Sequence, residues 1–375
     1  MSSKAPLDYQ LNTSFGRKKF TLSNLLIDPI LVFSLLTILI FGLFVLFSAS
    51  GQTTDMVMKQ SVYIAIGILL MFFISKLDQS VYKSFLMHLF WLGLILLIWV
   101  LLFPADGYKT DRWIDLGFIG FQPSEVIRLL LPLAVASYLT RNQRRLSAKD
   151  WFVVLVAIFT YSYLVFKQPD LGTALIILAS GCIPVFLAGF PVLIVIIFII
   201  VVIISSPFLW ASLTPYMQQR VVTLFNPESD LLGAGWNISQ SKTAIGSGGI
   251  WGKGYLNGTQ SQLDFIPESH SDFIFSVIGE EFGFLGIFLL LMLYGVILYR
   301  VFKIALNSST EFSRLAATSI GFIFLIYLLI NVSMTVGTLP VVGVPLPLVS
   351  QGGTSILIHL VAFGFVLSMK KRQTW

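Results

Sequence analysis

The sequence predicts an all-α polytopic membrane protein with about ten transmembrane helices. Three observations carry this. Charged residues make up only 11% of the 375 residues, whereas apolar residues make up 56%; a soluble domain usually carries about 25% charged residues. The mean hydropathy is +0.87. Apolar runs of roughly 20 residues, the length that crosses a hydrocarbon core, recur from residue 29 to residue 370.

Ten segments qualify as spans: 29–49, 60–77, 83–103, 124–140, 150–166, 171–189, 191–211, 273–299, 314–336 and 352–370. Pro132 and Pro184 fall inside the fourth and sixth. Membrane helices tolerate proline where neighbours satisfy the freed carbonyl. Residues 1–28 form a polar tail with Arg17-Lys18-Lys19 and no small-residue cleavage site, so no removable signal peptide is expected. Residues 29–370 read as a single integral domain and 371–375 as a short second tail.

Orientation follows from the Lys and Arg residues. With the N-terminus in the cytoplasm, sixteen of the 24 fall in inside segments, seven in outside segments, and Arg128 within a span. This asymmetry places both termini in the cytoplasm. The net charge of +6 is therefore a topology signal, and no nucleic-acid partner is expected. Cys182 stands alone in an apolar run, and one Cys with three His makes no structural zinc site.

Two outside connections follow. Residues 212–271 form one large extracytoplasmic loop between spans seven and eight, and 337–351 is a charge-free connection stiffened by Pro340, Pro345 and Pro347. The stretch Gly246 to Gly254 invites a phosphate-loop reading, but Lys253 is followed by Gly254 where such a loop needs Ser or Thr. It is either a flexible turn or a backbone approach to a diphosphate, with Lys253 supplying charge.

Acidic residues in or beside the spans are the candidates for chemistry. Asp272 opens span eight after His270-Ser271. It is either a helix cap favoured by the dipole or a carboxylate in a desolvated cleft, where its raised pKa suits a base. Glu280 and Glu281 lie roughly 12 Å deeper on a helix and either hold structure or extend a polar cavity. Glu125 and Arg128 are three apart and share a helix face. Asp170, beside Pro169, is a cap or a cavity acid.

At this point the sequence resembles a known family. Gln122-Pro123-Ser124-Glu125, Gln168-Pro169-Asp170-Leu171-Gly172-Thr173, Asn226-Pro227-Glu228-Ser229-Asp230 and Gln240-Ser241-Lys242 are among its marks. So are Gly252-Lys253-Gly254, Gly258 to Leu263, His270-Ser271-Asp272-Phe273-Ile274-Phe275 and Leu339 to Pro347. Together they look like the shape, elongation, division and sporulation (SEDS) family, and the Pro-Val-Val-Gly-Val-Pro run resembles its RodA, or elongation, branch. The resemblance implies a peptidoglycan glycosyltransferase of ten membrane helices. Such an enzyme polymerises lipid II on the outer face of the bacterial inner membrane, in company with a class B penicillin-binding protein and membrane lipid. It also implies an essential acid at Asp272 and a paired acid and base at Glu125 and Arg128. The chain departs from the family's usual Lys at Arg128, and from its usual Tyr-Gly-Gly at Gln351-Gly352-Gly353. Lys109-Thr110-Asp111-Arg112-Trp113 keeps only the family's Arg-Trp.

Glycosyl transfer from a lipid diphosphate needs a base at the acceptor hydroxyl and positive charge at the leaving group. Asp272 is the expected catalytic base. Arg112, Arg128, Arg220, Lys242 and Lys253 are the candidate cations, with Glu125, Asp170 and His270 as further substrate-binding residues. A divalent cation such as Mg2+ or Mn2+ could share the task, although no cofactor is demanded. A lipid II flippase and a non-catalytic scaffold for a penicillin-binding protein compete with the enzyme reading.

Overall fold

The computed structural model describes residues 28–103, 112, 114–115, 120–141, 146–226, 230, 233–263 and 265–370. Residues 1–27 of the first predicted tail, all of the second, most of 109–113 and Pro227-Glu228-Ser229 lie outside the described residues.

A helix stands at each of the ten predicted spans. They are α1 (Pro29–Ala49), α2 (Thr54–Lys76), α3 (Gln79–Leu102), α4 (Pro123–Leu139), α5 (Ala148–Lys167) and α6 (Leu171–Leu187). The seventh span is the pair α7 (Val192–Ile204) and α8 (Ser206–Ser212), bent by 54°. The last three are α12 (Ile274–Leu306), α13 (Glu311–Thr335) and α14 (Gly353–Ser368). Six of the helices are long and apolar enough to cross a membrane alone, and the bent pair makes a seventh. A two-residue ribbon, β1 (Ile114–Asp115) with β2 (Gly120–Phe121), precedes α4.

The helices pack as two main cores, to both of which α3 and α4 contribute. Leu129, Leu133 and Ala136 of α4 join the core built with α1, α2, α12, α13, α14 and the first half of α3. Ile127, Leu131, Val135 and Leu139, a stripe of period four, join the core of α3, α5 and α6. The two stripes follow from the 3.6-residue helical repeat, so α4 needs no polar outer face.

The head of the first span and the end of the last are tied together by one acid. Asp28 is fully buried and caps α1 by accepting from the Leu31 N–H at 3.1 Å. Arg300 of α12 donates its Nε to the same carboxylate at 3.1 Å, and Lys370, beyond α14, donates at 3.2 Å.

Residues 212–271, the large loop between spans seven and eight, carry helices of their own. They hold α9 (Pro215–Phe225), α10 (Ala234–Ser247) and the single turn α11 (Thr259–Gln262). Ile238, Ser241 and Ala244 recur at helical spacing on α10 and are buried; the Ser241 hydroxyl donates to the Thr335 carbonyl at 2.8 Å. Hydropathy overlooks such a helix because small and polar residues make its buried face.

The glycine-rich stretch is corrected more sharply, for it completes α12. Gly283 has φ +65° and ψ −162°, which breaks the helix. The carbonyls of Glu280 and Glu281 lose their partners one turn on, and the N–H groups of Phe284 and Leu285 lose theirs one turn back. The stretch supplies all four replacements. Lys253 and Gly254 donate to Glu280 and Glu281 at 2.9 and 3.0 Å; Phe284 and Leu285 donate to Gly249 and Ile250 at 2.9 and 3.1 Å. A Cβ at Gly248 would meet the Gly279 oxygen at 2.0 Å, and one at Gly252 the Glu281 oxygen at 2.1 Å. The glycines serve backbone-to-backbone contact, not a phosphate. Lys253 is also committed, pairing with the fully buried Glu280 at 2.7 Å.

Candidate functional site

The site is assembled where the connection after α13 crosses the entrance of α12. Residues 337–352 are non-helical, as the prolines predict, and polar side chains pin them in place. Asn331 of α13 is fully buried, and its amide donates both to the Asp272 carbonyl at 2.9 Å and to the Val344 carbonyl at 2.7 Å. Ser350 donates to the Ser271 carbonyl at 2.6 Å and accepts from the Leu346 N–H at 2.8 Å. The Gln351 N–H donates to the His270 carbonyl at 2.9 Å. From α2, Gln60 donates to the Ser350 carbonyl at 2.9 Å and accepts from the Gly352 N–H at 3.3 Å.

These clamps enclose a cavity of about 320 Å³. Asp272 and Glu125 line it, with Tyr63, Gln122, Gly343, Pro345 and residues 351–355. Asp272 precedes the N-cap position of α12, which Phe273 occupies without a side-chain cap; its carboxylate is not spent as a cap. Gly343, at φ +75°, faces it, and a Cβ there would lie 3.5 Å from Asp272 Oδ2. Burial pushes the half-buried Asp272 carboxyl up to about 6. The nearby Glu268 carboxylate adds to the rise and Arg220 opposes it. A carboxylate with this pKa is ionised at neutral pH, yet more basic than an ordinary aspartate.

Glu125 and Arg128 meet as expected, but only at 3.9 Å. The buried guanidinium is turned toward Tyr327 and Ser355 instead. It donates to the Tyr327 hydroxyl, and to Ser355 Oγ at 3.1 Å, and lies 4.5 Å from the Tyr327 ring centroid. The Arg fork serves several partners at once, which an ammonium cannot copy. Glu125 Oε2 is buried on the cavity wall without a hydrogen-bond partner among the described residues.

A second, smaller recess of about 30 Å³ joins Arg112, Asp170 and Arg220 against Pro340, Val341 and Val342. Asp170 is both a cap and a partner: it accepts from the Thr173 N–H at 3.0 Å and pairs with Arg112 at 3.1 Å. Arg112 also donates to the Gln168 carbonyl at 2.9 Å and to the Pro169 carbonyl. One connection thus walls both recesses, and Arg220 lines one while acting electrostatically on Asp272 in the other.

Other candidates are not gathered here. Lys253 is held by Glu280. Lys242, on α10, lies beside Gly337, and His270 contributes its backbone carbonyl; neither lines the Asp272 cavity. Glu280 accepts from the N–H groups of Thr259 and Gln260 at 2.8 and 3.0 Å, and Ser48 donates to Glu281, so the pair holds structure. Among the described residues, no group of three His, Cys, Asp or Glu converges as a metal site. The sequence reading missed Gln60, Asn331 and Tyr63. The first two had a signal, being amides inside apolar spans.

A bundle of apolar helices, with a half-buried carboxylate in a cavity at the entrance of a broken helix, defines an integral membrane protein built for polar chemistry at one mouth. The chain matches the family model for FtsW, RodA and SpoVE, described as cell cycle protein, over residues 29–374, and it belongs to that family. It is 42% identical to the peptidoglycan glycosyltransferase MrdB of Escherichia coli K12, over 95% of this chain and 97% of that protein. Its fold matches a chain from a structure on the coordination of polymerization and crosslinking by a peptidoglycan synthase complex. That match has a TM-score of 0.78 and 31% identity, covering 90% of this chain and 96% of that one. It also matches the rod shape determining protein RodA of Thermus thermophilus, with a TM-score of 0.67 and 28% identity over 90% and 94% of the two chains.

Proposed function

We propose that the chain is a peptidoglycan glycosyltransferase. It polymerises lipid II on the outer face of the bacterial inner membrane during cell elongation, with both termini in the cytoplasm and ten spans. The observation that carries this reading is Asp272, a half-buried carboxylate raised to about 6 in a cavity of about 320 Å³, in a chain 42% identical to a protein of that name. Asp272 accepts the proton of the acceptor 4-hydroxyl as its oxygen attacks the anomeric carbon of the donor sugar. The bond to the lipid diphosphate breaks from the opposite face, so configuration inverts, and one base with leaving-group stabilisation suffices.

Arg220 is the cation best placed for the diphosphate, because it lines the neighbouring recess and acts on Asp272. Arg112 supports that recess through its pair with Asp170. A class B penicillin-binding protein is the expected partner, in keeping with the synthase complex among the structural relatives.

The flippase reading loses its main support, since Glu280 and Glu281 are tied to Lys253, Thr259, Gln260 and Ser48. The test is purified full-length protein with lipid II and a gel for glycan chains. Wild type should give polymer, and a folded Asp272→Asn variant none. Polymer from that variant would remove Asp272 as the base. Transbilayer movement of lipid II without polymer would favour the flippase, and partner binding with neither activity the scaffold.

A further inference from the structure

The Asp272 cavity carries unspent hydrogen-bonding groups of a particular kind. The Tyr63 phenol and the side-chain amides of Gln122 and Gln351 line it, and none is hydrogen-bonded to a described residue. No described Lys or Arg lines this cavity, whereas Arg112 and Arg220 line the neighbouring recess. The two recesses therefore differ in chemistry. One is suited to an anion. The other offers neutral donors and acceptors beside two carboxylates, a set suited to a polyhydroxylated ligand.

The surface is also held rigid. Gln60 and Tyr63 lie one turn apart on α2. Gln60 fixes the backbone on both sides of Gln351, through the Ser350 carbonyl and the Gly352 N–H, and the Gln351 N–H is fixed by His270. One turn on, the Tyr63 ring lies against Gly353: a Cβ there would sit 2.5 Å from ring atom Cε2. The backbone that carries Gln351 is thus fixed before any ligand arrives, which lowers the ordering cost of binding. The volume of about 320 Å³ is at the lower end of the roughly 300–1,000 Å³ of small-molecule sites. It suits a sugar ring rather than a whole lipid-linked precursor.

We infer that Tyr63, Gln122 and Gln351 form the subsite for the acceptor sugar, the ring that presents its hydroxyl to Asp272. The inference rests on the glycosyl-transfer reading. Tyr63 offers an aromatic face to the C–H face of the pyranose and a phenol to its hydroxyls. The two glutamines hold ring substituents, each with a donor and an acceptor. The donor's diphosphate then lies toward Arg220, at the border of the neighbouring recess. These are positioning residues, and the proton is still taken by Asp272.

The experiment is steady-state polymerisation of lipid II by the full-length protein carrying Gln351→Ala, Tyr63→Phe or Tyr63→Leu. Its companion is binding of the water-soluble disaccharide-peptide headgroup, followed by saturation-transfer NMR. Loss of one neutral hydrogen bond should raise KM for lipid II about fivefold, with a smaller change in kcat. Gln351→Ala should do this without loss of folded yield, because its amide makes no hydrogen bond to a described residue. Tyr63→Leu should exceed Tyr63→Phe, which keeps the ring, and headgroup binding should weaken in the same order. Unchanged KM and headgroup binding in folded variants would overturn the subsite while leaving the glycosyltransferase intact. A fall in folded yield with normal kinetics in the surviving protein would assign these residues to structure alone. No polymer from wild type, with headgroup binding retained and weakened by the variants, would overturn the activity and keep the subsite.

Discussion

Gly252→Ala should strongly destabilise the membrane domain although it adds a single methyl group. Gly252 sits at φ +80°, and its Cβ would lie 2.1 Å from the oxygen and 2.4 Å from the carbon of the Glu281 carbonyl. Both are backbone atoms, so no rotamer change can relieve the clash. The gap must open by about 1.3 Å to reach the 3.4 Å of ordinary contact. The adjoining hydrogen bonds from Lys253 and Gly254, now 2.9 and 3.0 Å, cannot survive that shift. Two buried groups left unpaired cost about 1–3 kcal/mol each, and an L side chain in this left-handed conformation adds roughly 1–2 kcal/mol. The total is about 3–8 kcal/mol, against a typical stability of about 5–15 kcal/mol. Gly246→Ala is the internal control. It sits in α10 with nothing within 4 Å of its Cβ position, so alanine should be neutral or stabilise by about 0.5–1 kcal/mol. Fluorescence-detected size exclusion in detergent reads folded yield, and a heating series reads the midpoint. A Gly252→Ala protein with wild-type yield and midpoint would refute the reasoning, as would equal damage from Gly246→Ala.

Further outcomes are expected. Polymerisation should decline as pH falls through about 6, because the base acts only when ionised. Glu268→Gln removes a charge that raises the Asp272 pKa, so the acid limb of the pH–rate profile should move to lower pH; an unmoved or raised limb would sink the base assignment. Arg128→Ala should lower folded yield severely, since removing one partner of a buried charged cluster costs roughly 3–5 kcal/mol. Arg128→Lys should fall between it and wild type, and equal yields from the two would show that the cluster does not matter. In a Cys182→Ser background, a cysteine at Ser239 should react with a membrane-impermeant thiol reagent in intact spheroplasts. One at Lys149 should react only after permeabilisation, and the reverse pattern would invert the topology.

The helices were legible where charge is scarce. The first span falls on 29–49 in both sequence and structure, because Asp28-Pro29 marks its start chemically. The second helix begins at Thr54, six residues ahead of its apolar run, since a helix continues through the polar first turn that hydropathy excludes. Asp272 and Glu125 could be singled out because an acid beside or within a span is costly unless something in the fold uses it. Their meeting with Gln122 and Gln351 follows the predicted order of motifs, but the role of Tyr63 does not. A tyrosine in an apolar helix looks like any other, and only contact with Gly353 distinguishes it. The glycine-rich stretch was illegible for another reason. Its partner is a helix break about thirty residues onward, and neither half explains itself alone.

The buried Asp28 has a consequence for biogenesis. An aspartate at the head of the first span emerges from the ribosome long before the cations that pair with it in the finished fold. Arg300 follows 272 residues later and Lys370 follows 342 residues later. Until both arrive, the carboxylate must stay hydrated at the membrane surface or carry a proton. The native set of ion pairs at the head of the first helix is therefore complete only when the last helix is in place. A chain stalled before its final helix would display an acid whose native partners are not yet in place.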